Sequence, residues 1–65
     1  MKEEYTKLLN LVKGRPGIRL HELVAILGIP KPTIRYRLIE LERKNLVRLV
    51  SKPNYLAAYP RGHSP

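Results

Sequence analysis

Residues 20–47 read LHELVAILGIPKPTIRYRLIELERKNLV, and the spacing of their apolar side chains decides the fold. Leu20, Leu23, Val24 and Leu27 recur at intervals of three and four, which places them on one face of a helix. This stripe predicts a helix over residues 21–27, stopped at Gly28, because glycine most readily takes the left-handed conformation that ends helices. Ile34, Leu38 and Leu41 form a second stripe and predict a longer helix over residues 31–44. Pro32 suits the first turn of that helix, where the missing N–H has no intrahelical partner, and Asn45 suits a left-handed stop. Between the two helices lies a three-residue turn, Gly28-Ile29-Pro30, whose isoleucine is placed to pack beneath the second stripe.

The flanks complete the pattern. Upstream, Tyr5, Leu8, Leu9 and Val12 give helical spacing over residues 3–13, with Gly14 as the left-handed stop and Pro16-Gly17 as a turn the helix cannot cross. Ile18 and Leu20 resume apolar character as a very short strand or an extended lead-in. Downstream, Leu46-Val47-Arg48-Leu49-Val50 and Tyr55-Leu56-Ala57-Ala58-Tyr59 flank the turn Ser51-Lys52-Pro53-Asn54, which predicts a hairpin. Residues 60–65 hold Gly, Ser and two prolines and are expected to form a flexible C-terminal tail. The expected fold is mainly α with a small β-hairpin: three helices plus a wing, a winged helix-turn-helix domain over residues 1–59.

Composition narrows the function. Sixty-five residues allow one domain, since a chain of this length buries only ~60% of its unfolded surface. With no cysteine and two histidines, neither a disulfide nor a structural zinc site is expected, so apolar packing must hold the fold, aided by a partner subunit. No cofactor or small-molecule ligand is implied. No run approaches the ~20 apolar residues that span a bilayer, and Met1-Lys2-Glu3-Glu4 lacks the apolar core of a signal peptide, so a cytoplasmic protein with no membrane partner is expected. Thirteen Lys and Arg against five Glu give a net charge of +8, which favours a polyanionic partner. The lack of Asp, Gln and Cys beside plentiful Lys, Arg and Glu suits a thermophile.

Catalysis is not expected. The chain has no Cys, no Asp, and no HExxH, Walker or GxGxxG pattern; Thr33 and Ser51 have no evident histidine partner. Glu40 and Glu42 stand two apart on a helix and point away from each other, as solubilising charges rather than a carboxylate pair.

Residues 20–47, and especially residues 23–47, LVAILGIPKPTIRYRLIELERKNLV, resemble winged helix-turn-helix regulators of the MarR, ArsR and Lrp-type groups, including their small archaeal relatives. The shared pattern is an apolar second helix, a Gly-apolar turn, a small hydroxyl residue opening the third helix, apolar positions four and three apart, and a Leu-Val step into the wing. The resemblance implies a DNA-binding transcriptional regulator and covers about residues 5–59. Two departures stand out: Pro30 where a serine or threonine cap is usual, and Asn45 where glycine is usual.

With Ile34, Leu38 and Leu41 inward, a step of ~100° per residue puts Pro32, Tyr36, Ile39 and Arg43 opposite, flanked by Thr33, Arg35, Arg37 and Glu40. A major groove ~12 Å wide admits one helix, in which Arg can fork onto guanine while a Thr methyl or Tyr ring meets a thymine methyl or a phosphate. Because base contacts come mostly from the N-terminal part of a recognition helix, the expected reading residues are Lys31, Pro32, Thr33, Arg35, Tyr36 and Arg37. Arg48, Lys52 and Asn54 in the wing are expected on phosphate or in a minor groove. Arg19 and His21 stand near the start of the second helix, where free N–H groups favour a phosphate, although His21 reads better as a plain surface histidine.

Ile26, Ile39 and Leu11 exceed what the inward stripes need and suggest a homodimer, although an oversize core face explains Leu11 equally well; the resemblance implies the first helix or the C-terminal strand and tail as the place for the second subunit. Two other functions fit the same fold: a protein-protein adaptor of a transcription or replication complex, against which the basic face argues, and single-strand or RNA binding, which calls for more exposed aromatics on the sheet.

Overall fold

A computed structural model describes residues 3–62, which form α1 (Glu3–Gly14), β1 (Ile18–Arg19), α2 (Leu20–Leu27), α3 (Lys31–Arg43), β2 (Val47–Ser51) and β3 (Leu56–Pro60). The three helices pack on one face of an antiparallel sheet with strand order β1-β3-β2. α1 buries Leu8, Leu9 and Val12, with Glu3 and Glu4 in its first turn and Lys13 in its last, each opposing the partial charge of that helix end.

The left-handed turn expected at Gly14 sits instead at Gly17, with φ 88°. Gly17 comes so close to β3 that its N–H donates to the Ala58 carbonyl at 2.9 Å, and a Cβ there would lie 3.3 Å from the Tyr59 ring. The approach of β3 therefore fixes where the chain reverses. Of the two readings left open for Ile18, the strand is the one formed: Ile18 pairs with Ala58 and Arg19 with Ala57. The wing is thus two strands of a three-stranded sheet.

α2 starts at Leu20 and ends at Gly28, whose φ of 67° lets its N–H reach the Val24 carbonyl at 2.9 Å. At the start of α3 the cap is backbone alone: the Pro30 carbonyl accepts from the N–H groups of Thr33 (3.0 Å) and Ile34 (3.2 Å), so no side-chain oxygen is used. Its far end is a Schellman turn. Asn45 has φ 61° and donates to Glu42, and the Leu46 N–H donates back to Leu41 at 3.0 Å. These bonds stop the helix and aim the chain into β2.

β2 and β3 pair in the register Val47–Pro60, Leu49–Ala58 and Ser51–Leu56. β3 runs past the expected boundary at Tyr59: Pro60 lies in the strand and the Arg61 N–H donates to the Leu46 carbonyl at 3.3 Å. Proline is tolerated at 60 because β1 spans only Ala57 and Ala58, so no neighbouring strand needs that missing donor. The last three residues of the expected tail, 63–65, lie outside the described residues.

The three helices, β1, β2 and β3 meet in one apolar cluster centred on Leu8, Leu23, Ile34, Leu38 and Leu41, with Ile29 half-buried against it. No polar side chain is buried among the described residues, and none of their helices is long and apolar enough to cross a membrane.

Candidate nucleic-acid interface

α3 presents three different flanks. Ile34, Leu38 and Leu41 are fully buried and fix its rotation. Opposite them, Pro32, Tyr36, Ile39 and Arg43 follow one another at intervals of four, three and four, a single line along the outer surface. Tyr36 is 60% exposed and Ile39 36%. Arg43 is solvent-facing and reaches back 3.4 Å to Glu40.

The second flank faces the wing. Lys31 and Arg35 line a cleft of about 170 Å³ whose opposite wall is Ser51, Lys52, Pro53, Asn54 and Tyr55. Arg19 stacks its guanidinium 4.2 Å above the Tyr55 ring, a cation–π contact that props the wing from the side of β1. Lys31, Arg35 and Lys52 take part in no ion pair among the described residues. Three unpaired cations from two elements thus converge on one solvent-open groove, a field suited to an extended anion.

The third flank turns to α1. Arg37, one of the expected reading residues, has a side chain only 20% exposed that forms an ion pair with Glu4, with its guanidinium 5.9 Å from the Tyr5 ring centre. The reason is phase: Arg37 stands three residues from Ile34 and four from Leu41, on the edge of the buried stripe. Lys44 faces the same ring at 5.7 Å, so two cations from α3 and its C-cap stand within 6 Å of the Tyr5 ring. Thr33 lies on the same side of α3 as Arg37 and is half-buried.

Arg48 is separated from the other wing residues. Side chains alternate along a strand, and Val47 and Leu49 point to the core, so Arg48 points to the opposite face of the sheet, where its partner across the ladder is Tyr59. It also stands four residues, ~13 Å, from Lys52. The residues singled out by sequence therefore divide: Pro32 and Tyr36 on the outer line, Lys31, Arg35, Lys52 and Asn54 around the cleft, Thr33 and Arg37 toward α1, and Arg48 on the far face.

Three structural roles escaped the sequence reading. Glu22 accepts from the Arg19 N–H at 2.9 Å and from Arg15 at 2.7 Å, tying the start of α2 to the turn before it. The backbone hydrogen bond first, and the Arg15 charge beside it, hold its carboxyl below the ordinary glutamate range. Glu42 is more than a solubilising charge: it accepts from the Leu49 N–H at 3.2 Å, on the edge strand β2. Glu40 is held by Arg43. A carboxylate three or seven residues from its partner leaves only a weak signal in sequence, because the turn geometry that joins them must already be known.

A three-helix core with a helix and a hairpin flanking one basic groove defines a winged helix-turn-helix domain. Residues 6–51 match the family model of the IclR helix-turn-helix domain, and the chain belongs to that family. It is a DNA-binding domain of transcription regulation. The resemblance drawn from the sequence, to the MarR, ArsR and Lrp-type groups, therefore holds at the level of a winged helix-turn-helix regulator, and the family is the IclR one. Among solved structures, that of the PcaV transcriptional regulator from Streptomyces coelicolor, in complex with its natural ligand, is similar with a TM-score of 0.83 at 18% identity. The similarity covers 95% of this chain and 46% of PcaV, so the chain spans less than half the length of that regulator. No curated protein matches the chain.

Proposed function

We propose that the chain binds double-stranded DNA sequence-specifically, with α3 in the major groove and the wing on the backbone, and that it does so as a homodimer. The observation that carries this reading is the convergence of Lys31, Arg35 and Lys52, unpaired with any carboxylate among the described residues, beside the exposed line of Pro32, Tyr36, Ile39 and Arg43. A helix with its side chains is ~10–12 Å across and a major groove ~12 Å wide, so α3 fits the groove while the wing reaches the adjoining phosphates. The chain acts by binding, without catalysis, cofactor or membrane partner, and the cytoplasm is its compartment. No small-molecule ligand is assigned to the winged helix itself. The resemblance drawn from the sequence supports a small archaeal-like regulator, and the composition supports a thermophilic source.

The homodimer is supported by a second surface. Lys7, Asn10 and Leu11 of α1 and Ile26 and Leu27 of α2 line an open groove on another part of the molecule, and Ile26 is 51% exposed there. An apolar patch of this kind is covered by a second subunit in the proposed assembly.

Selection of bound duplexes from a random pool, followed by competition of the selected duplex against its single strands and an RNA of the same sequence, tests the reading. A palindromic consensus that outcompetes both is the expected outcome. Equal competition by all three, or the loss of a protein partner with DNA affinity unchanged when α3 is altered, would favour single-strand binding or the adaptor function.

A further inference from the structure

We propose that the outer line of α3 reads thymine methyl groups through Tyr36 and Ile39, while Lys31 and Arg35, on the wing side, grip phosphate together with Lys52. This refines the duplex-binding reading above and rests on it. Among the described residues the exposed large apolar side chains are Ile26, Tyr36 and Ile39, and two of these three lie on the same outward line of the most basic helix. Solvated faces rarely carry such a pair, so the line has a partner with apolar features. In a major groove each base pair shows hydrogen-bonding groups, but thymine alone shows a methyl.

The line is poorly equipped for hydrogen-bond reading. It carries no Asn or Gln to fork onto adenine, and its cation, Arg43, sits at the C-terminal end of the helix beside Glu40. Tyr36 and Ile39 lie ~4.5 Å apart along the axis, close to one base step, so they meet neighbouring base pairs. Lys31 and Arg35, which the sequence put forward as base readers, line the cleft with Lys52 and Asn54. A phosphodiester strand passing through that cleft meets three cations, and the adjoining base edges then lie under Tyr36 and Ile39. This charge pattern selects the duplex over an apolar protein groove as the occupant.

The test replaces thymidine by deoxyuridine in the selected duplex, one position at a time. Charge and base pairing are kept and only the C5 methyl is lost. Burying one methyl-sized group is worth about fourfold in affinity, or ~0.8 kcal/mol, so wild type should bind at least about threefold more weakly at each contacted thymine. Tyr36→Ala and Ile39→Ala should each lose this sensitivity at neighbouring positions. Lys31→Ala and Arg35→Ala should keep it and instead flatten the salt dependence. Ile39→Val, a milder change, should retain partial sensitivity, and circular dichroism identifies any variant that fails to fold. Wild type that distinguishes selected from scrambled DNA yet binds thymidine and deoxyuridine duplexes equally overturns the methyl assignment and leaves duplex recognition standing. Wild type that prefers no duplex overturns both.

Discussion

Asn45 ends α3 with φ 61°, a conformation that places a side chain's Cβ close to its own carbonyl and that Asn tolerates better than most residues. Asn45→Val should therefore destabilise the domain by ~1–2 kcal/mol while Asn45→Gly leaves it unharmed, as thermal melts of the two variants would reveal. Arg37 gives a second residue-scale contrast. Because it is held by Glu4 and Tyr5, Arg37→Ala should destabilise the fold slightly, by under ~1 kcal/mol for a pair in partial contact with solvent, seen as a small fall in melting temperature, and leave the salt slope of DNA binding unchanged. Arg35→Ala should do the reverse, reducing that slope by ~1 with little change in melting. Glu22 carries a pH dependence. Its carboxyl is held below its ordinary value in the folded chain, so its stabilising effect is present above the ordinary unfolded value and is lost as pH falls through the folded value. The melting-temperature gap between wild type and Glu22→Gln should be open at neutral pH and close in acid; a gap that widens on acidification contradicts this linkage.

At the scale of elements, α3 is held by its buried stripe. Leu38→Ala should cost ~2–5 kcal/mol, enough to remove much of a small domain's stability, and an unchanged melt would mean that the outward line of α3 has been assigned to the wrong face. The helices and hairpin were legible because the periods of 3.6 and 2 are local properties, carried by Leu20, Leu23, Ile34, Leu38 and Val47 in the sequence itself. Gly28 and Asn45 were legible as stops for the same reason. The turn at Pro16-Gly17 was legible for the same reason, but the left-handed φ at Gly17 rather than Gly14, and the choice of strand over extended lead-in at Ile18, depend on β3, forty residues away in sequence. The same distinction runs through the candidate interface. Tyr36 follows from helical phase alone, whereas Arg37 pairs with Glu4 of α1 and Lys31 meets Lys52 of the wing only once the elements have packed. Long side chains such as arginine swing either way at the edge of a stripe, and the neighbouring element decides.

At the scale of the whole molecule, the described residues measure 29 × 27 × 20 Å. Two half-sites one helical turn apart are spaced ~34–36 Å, so two copies fit side by side on one face of a duplex without overlap. The proposed dimer predicts two chains per selected site at saturation in sedimentation of the complex; one chain per site would contradict it.

In the proposed complex α3 is the reading head of a duplex-binding winged helix. Affinity should be measured for a selected site and a scrambled site, over a range of salt, for wild type, Lys52→Ala and Tyr36→Ala. Lys52→Ala should weaken both sites about equally, with a salt slope lower by ~1, and keep the preference for the selected site. Tyr36→Ala should collapse the difference between the sites, because a good base contact supplies ~1–3 kcal/mol of discrimination. If a folded Tyr36→Ala variant binds both sites with wild-type affinities at every salt concentration, α3 does not read DNA and the claim fails.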